Sequence, residues 1–305
     1  LLRFISAYST QLLASCVFIG FALPGLSNAL LPFLPAVLFA LMLFTIVSLN
    51  IRTLIQDLAQ TSIWLYAIWH TLGLTALIML IAWFFNVNSQ LYLAIAATCA
   101  TGSLFASPAI VRSIGLDAQR CMAMTIASTL LMPGVLLLNS HLFSHFSHSE
   151  QLQLDMQVYG QRLAIFIILP IIISLLLHKL IKPQLIDKAL IQIRPVTIVL
   201  VFFFPLGLMG AFREVYNTSP AVALEYLAIA SAACLIAFVA SFLLYLNKGK
   251  ELAIISGVTA TNRNVLLTYS ITGSFLGIEY MIYMGAIQLP VYLLPMLVKL
   301  ASHSR

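Results

Sequence analysis

The chain has 305 residues, 62% of them hydrophobic and only 8% charged, with a mean hydropathy of +1.05. Too little polar surface remains to cover a soluble globule, so the composition excludes a water-soluble domain and indicates an all-α membrane protein. The net charge of +6 is then a matter of topology and not a nucleic-acid footprint.

Apolar runs long enough to cross hydrocarbon predict ten membrane helices, at about 4–22, 30–49, 62–85, 90–114, 119–146, 160–180, 194–211, 220–246, 251–275 and 280–300. Turn-forming clusters separate them: Pro24-Gly25, Asn86 to Ser89, Lys182-Pro183, Asn217 to Pro220, and Asn247-Lys248-Gly249-Lys250. The first run, with Arg3 ahead of it and Ser-Asn-Ala at 27–29, has the outline of a secretory signal. Nine further spans follow it, and a first membrane helix is the expected reading. Cys16, Cys99, Cys121 and Cys234 are scattered through apolar segments without a CxxC pair, as buried small hydrophobes would be.

The basic residues set the orientation. If the spans alternate, Arg3, Arg52, Arg112, Arg120, Lys179, Lys182, Lys188, Arg194, Lys248, Lys250, Lys299 and Arg305 share one side. Arg162 and Arg213 fall on the other and Arg263 lies within the membrane, which accounts for all fifteen. The asymmetry predicts a multi-pass protein of the inner membrane with both termini in the cytosol. It forms a single integral membrane domain, in which residues 1–146 and 160–305 repeat one rhythm of five spans. An odd number of helices per half inverts the second half relative to the first, the plan of secondary transporters whose substrate lies between broken helices.

In the third span, Trp64, Tyr66, Trp69 and Trp83 have the character of interfacial anchors. His70 inside it is either a proton carrier or a buried hydrogen-bonded histidine. The fourth span reads Ala-Thr-Cys-Ala-Thr-Gly-Ser-Leu-Phe-Ala-Ser-Pro at 97–108, where polar residues interrupt the apolar run and Pro108 predicts a kink or unwound stretch over 102–108. Thr98, like Ser256 in the ninth span, reads as close helix packing. At the end of the fifth span, His141, His145 and His148 share a face, better explained as an interfacial cluster than as a metal site. Glu225, one turn into the eighth span, is placed to pair with Arg213.

The ninth span carries Thr-Ala-Thr-Asn-Arg-Asn at 259–264, about 18 Å of helix from either end of its apolar segment. A guanidinium at that depth costs several kcal/mol unless paired or hydrated, roughly as for any ionised group in hydrocarbon. The plain alternative is an arginine satisfied by nearby carbonyls. If the fourth and ninth spans cross at their breaks, half-helix N-termini and Arg263 converge on a volume suited to an anion. The candidate substrate-binding residues are Thr101, Ser103, Ser107, Thr259, Thr261, Asn262, Arg263 and Asn264. No catalytic residue, cofactor or dedicated metal site is expected.

On these residues the chain resembles the bile acid:sodium symporter superfamily. The similarity is sharpest in Ala106-Ser107-Pro108, Ala123-Met124-Thr125 and Ser128-Thr129-Leu130-Leu131-Met132-Pro133, and again over 251–268. The resemblance implies crossing fourth and ninth helices, organic anions bound between two helix groups, and sodium behind the crossing, with Ser107 and Thr125 at sodium-liganding positions. The chain departs from the family pattern at Pro108, where an Asn is usual, and at Cys121, where a Ser is usual. It departs again at the ninth-helix motif resembling Glu-Val-Gly-Met-Gln-Asn, where Thr259 replaces the Glu and Arg263 the Gln. A carboxylate is lost and a cation gained, which argues against sodium coupling.

The expectation is a secondary transporter of a small organic anion in the lipid bilayer, with a proton or sodium as the possible coupling ion. Sodium-dependent symport of bile-acid type is the alternative, followed by a channel or a membrane-embedded enzyme. Against an enzyme stand the lack of GxSxG, of HExxH and of paired aspartates within spans.

Overall fold

The computed structural model of the chain describes residues 8–49, 51–147, 157, 160–161, 164–272 and 276–303. In order, the helices of the first part are α1 (Ser9–Ala22), α2 (Pro24–Leu30), α3 (Leu34–Val47), α4 (Ile51–Leu58), α5 (Thr61–Ile68), α6 (Leu74–Phe84), α7 (Ser89–Ala100), α8 (Ser107–Ser113) and α9 (Ala118–Ser147). Those of the second part are α10 (Leu169–Leu180), α11 (Pro183–Leu208), α12 (Gly210–Thr218), α13 (Pro220–Tyr245), α14 (Lys250–Thr261), α15 (Val265–Thr272), α16 (Gly277–Ala286) and α17 (Gln288–His303). No β-strand occurs among the described residues.

Among the described residues, six stretches are long and apolar enough to cross a membrane: Pro24–Val47, Thr61–Phe84, Ala118–Leu138, Gln184–Thr218, Pro220–Lys248 and Gly277–Ala301. Ser9–Ala22, Leu91–Ala100 and Ala164–Leu180 are shorter apolar helices. The distribution of side chains is that of a protein solvated by lipid. Leu180, Leu235 and Leu243 point outward, whereas Thr101, Ser103, Thr125, Ser128 and Thr259 are fully buried. Helices suit such a setting because they satisfy their own backbone where no water can.

Several elements differ from the sequence expectation. The helix expected at 194–211 begins at Pro183 and runs to Leu208 with Arg194-Pro195 in its interior. Pro183 stands in its first turn, where a missing N–H costs nothing. Pro24 likewise opens α2. The spans expected at 90–114 and 251–275 are each two helices with a gap, because their polar centres leave the helical path.

Two helix groups organise the molecule. In one, α11 packs on α1 and α3, and α10 on α3. In the other, α13 packs on α14, α9 on α5 and α8, and α7 on α6 and α16. Contacts of α17 with α1 and of α12 with α2 join the groups. The α13–α14 seam is close because its residues are small: Ala230, Ala233 and Ala237 are buried on α13. A Cβ at Gly257 of α14 would come within 2.8 Å of the Phe238 ring.

Candidate functional site

The site is made where two helices stop. Helices α7 and α14 are each 12 residues long, a rise of about 18 Å, which ends them near the middle of a bilayer core of roughly 30 Å. Helices α8 and α15 resume after the interruptions at 101–106 and 262–264. The backbone groups released at the two gaps find each other. Ser103 and Arg263 form an isolated antiparallel bridge. Leu104 N–H donates to the Asn262 carbonyl at 2.7 Å, and Asn264 N–H to the Gly102 carbonyl at 3.0 Å. This mutual pairing is what makes two unwound stretches tolerable away from water.

Gly102 is dictated by a third helix. A Cβ there would lie 2.6 Å from the Cα of Thr129 on α9, a distance no side chain accepts. Next to it, Ser103 is the hub of the crossing. Its N–H donates to Ser128 Oγ at 3.0 Å. Its Oγ shares a hydrogen bond with Ser107 Oγ at 3.0 Å and lies 3.1 Å and 3.3 Å from the carbonyls of Thr259 and Asn262. The other hydroxyls are turned inward too. Thr259 Oγ1 donates to Ile255 O at 2.6 Å and faces Cys121 Sγ at 3.3 Å. Thr125 Oγ1 donates to Cys121 O, Thr101 Oγ1 to Thr98 O, and Thr261 Oγ1 to Val258 O.

Arg263 is 5% exposed, and its partners are carbonyls, with no carboxylate among them. Nη1 donates to Cys99 O at 2.7 Å, His70 O at 2.9 Å and Thr101 O at 3.3 Å. Two of these oxygens belong to the C-terminal end of α7, where the helix dipole is negative and a cation is stabilised. The third is released by a π-turn over Trp69–Gly73: Leu74 N–H bonds to Trp69 O, five residues back, and so does not occupy His70 O. Nη2 has no hydrogen-bond partner.

Val265 and Leu266, at the start of α15, bound a cavity together with Arg263. The Nη1 side of the guanidinium turns to a helix C-terminus. The start of α15 is closed by Asn264, whose Oδ1 accepts from Leu267 N–H at 3.2 Å. Pro108 does not break the helix. The gap precedes it, and Pro108 stands in the first turn of α8.

All eight candidate binding residues are buried at this crossing. Among their hydroxyls, that of Ser103 bonds across the crossing, whereas those of Thr101, Thr259 and Thr261 donate to carbonyls of their own segments and that of Ser107 pairs with Ser103. Asn262 Nδ2 and Oδ1, Asn264 Nδ2 and Arg263 Nη2 are buried without partners. At the sodium-type positions, the hydroxyls of Ser107 and Thr125 are engaged in internal hydrogen bonds.

Two small cavities flank Arg263, each about 10 Å³. One is bounded by Leu104, Phe204, Leu208, Gln288 and Tyr292, between α11 of the first helix group and the crossing. The other is bounded by Cys99, Cys234, Thr261 and Tyr283, inside the second group. Tyr283 and Tyr292 gave no signal in the sequence, because a tyrosine in an apolar run reads as packing until its hydroxyl is found unpartnered.

The remaining candidates resolve individually. Tyr66 is fully buried and not an interfacial anchor; its hydroxyl lies 3.2 Å from His70 Nδ1 and 3.4 Å from Ser256 O. His70 is therefore a buried, hydrogen-bonded histidine in this conformation. The expected pairing of Glu225 with Arg213 is replaced by a guanidinium lying 4.6 Å over the Phe21 ring. The side chains at His141 and His145, and all of His148, lie outside the described residues. Among the described residues no group of His, Cys, Asp and Glu is arranged to hold a metal ion, and the four cysteines are free and buried. The chain matches no protein-family model and no curated protein.

Proposed function

We propose that this chain is a secondary transporter that carries a small organic anion across a cytoplasmic membrane by alternating access. It is read as a divergent relative of the bile acid:sodium symporter superfamily: ten spans in two inverted five-helix repeats, with the fourth and ninth crossing and both termini cytosolic. One observation carries the reading. Two interrupted apolar helices pair through the backbone at Ser103 and Arg263, and the single cation at that depth keeps an unpartnered donor. Discontinuous helices meeting at mid-membrane are how transporters expose polar groups to a substrate without exposing them to lipid.

The substrate enters between the two helix groups, on the side bounded by Phe204, Leu208, Gln288 and Tyr292, where the small cavity opens further as the groups part. Arg263 supplies the charge, and Asn262 and Asn264 supply hydrogen bonds that their side chains do not spend on the protein. Transport is independent of sodium in this reading. The guanidinium already takes three carbonyl oxygens of the kind a hard cation would need, and it does not deprotonate. A second cation about 4 Å away is repelled by several kcal/mol at an effective dielectric near 20.

Uptake into proteoliposomes is the test, using a panel of small carboxylates and sulfonates across a sodium titration at fixed ionic strength. Saturable uptake of at least one anion, unchanged by sodium, is expected. A steep sodium requirement would restore ordinary symport. Turnover of a lipid or peptide without uptake would replace transport by enzymatic activity.

A further inference from the structure

The second cavity beside Arg263 is not needed by the substrate pathway, and its chemistry is distinct. Cys99, Cys234 and Tyr283 line this cavity beside the guanidinium. Beside Thr98 Oγ1, two buried donors on the walls of this cavity have no partner: Arg263 Nη2 and the Tyr283 hydroxyl. Tyr283 is fully buried and Arg263 is 5% exposed, so neither donor is satisfied by bulk water. The thiols of Cys99 and Cys234 add weak S–H donors. Thr98 and Thr261 complete the polar side of the wall, and Ala233 and Ala237 form part of its apolar side.

Size and charge then select the occupant. A cavity of about 10 Å³ holds one particle near the size of a water molecule and excludes carboxylates and oxyanions. A water could accept from both donors but would add no negative charge beside a buried guanidinium whose partners are carbonyls. A monatomic anion accepts from both donors and neutralises the charge. We propose that this cavity is a halide site, occupied by chloride as the counter-ion of Arg263 while no organic anion is bound.

The test uses the purified full-length chain in detergent, with sodium chloride, bromide or iodide exchanged against sodium gluconate at constant ionic strength. Chloride and bromide are expected to raise the thermal midpoint saturably, and iodide less because of its size. Crystals grown in bromide are expected to show an anomalous peak between Arg263 and Tyr283. Tyr283→Phe removes one donor while keeping the ring, so halide affinity falls about ten-fold, as loss of a hydrogen bond to a charged group implies. This variant also keeps the test decisive if Arg263→Gln fails to fold. Identical midpoints in chloride and gluconate with no bromide peak would mean that the cavity holds water. Halide affinity unchanged in Tyr283→Phe would place the ion elsewhere. Either result overturns the proposal, and neither bears on uptake of organic anions.

Discussion

Arg263 does two jobs with its two terminal nitrogens, and substitution separates them. Nη1 satisfies carbonyls at the end of α7 and in the π-turn; Nη2 is free. Arg263→Gln removes the charge and leaves some of those carbonyls unpaired, at a cost of about 1–3 kcal/mol for each buried orphan. It is expected to lower both the thermal midpoint and anion binding. Arg263→Lys keeps a cation whose three donors match three carbonyls, but it has no second fork. It is expected to hold the midpoint near that of the parent while weakening anion binding ten-fold or more, read by thermal shift and by uptake. The charge and depth of Arg263 were legible in the sequence from its surroundings alone. Its partners were not, because they are main-chain oxygens from two other helices and leave no mark on residue identity. Tyr66 shows the same limit: beside three tryptophans it reads as an anchor, and only packing shows it fully buried against His70.

Among the elements, the interruptions at 101–106 and 262–264 followed from composition, since Thr, Gly, Ser and Asn clusters have no other reason to sit in apolar spans. The first interruption, at 101–106, overlaps the expected 102–108, but proline there does not act as a helix breaker. At the first turn it is a helix starter, and which role applies depends on where the preceding chain has already turned. Lys182-Pro183 was legible as a boundary, yet the helix it opens was placed eleven residues late, since polar residues of the first turns broke the apolar pattern. Contact between α9 and α14 can be tested with one substitution. Cys121 Sγ lies 3.3 Å from Thr259 Oγ1, so Thr259→Cys brings a thiol within bonding reach of Cys121. Mild oxidation is expected to bridge the two, seen by intact mass after peptide cleavage between the helices. Two thiols that remain free under oxidant, with or without anion, would show that the helices do not approach there.

For the whole molecule, the apolar helices and the buried polar interior establish a helical protein suited to lipid, and hydropathy alone carried that conclusion. Orientation rests on the basic residues. Arg3, Arg162 and Arg305 lie outside the described residues, so the internal loops carry the test. Cysteines introduced singly at Lys248 and at Asn217, in a background with the four native cysteines replaced, are expected to label from opposite sides of the membrane. The Lys248 position is expected to be cytosolic. Labelling of both from the same side would end the alternating-span layout. The division into two helix groups could not be read from hydropathy, because every apolar helix looks alike until its neighbours are known.

The backbone exchange at Ser103 and Arg263 has a mechanical consequence. Each half-helix is riveted to the other chain segment by main-chain bonds, with the Ser103 hydroxyl and the Arg263 guanidinium adding bonds across the gap, so α7, α8, α14 and α15 behave as one stiff cross. Torque applied at any arm is passed to the other three instead of being absorbed as bending at the gap. The compliant joints must then lie elsewhere, at the α17–α1 and α12–α2 seams where the two helix groups meet. In the proposed transport cycle, the crossing would be exposed first to one side and then to the other by a rocking of the whole cross against the α1–α3 and α10–α11 wall, with Arg263 close to the pivot.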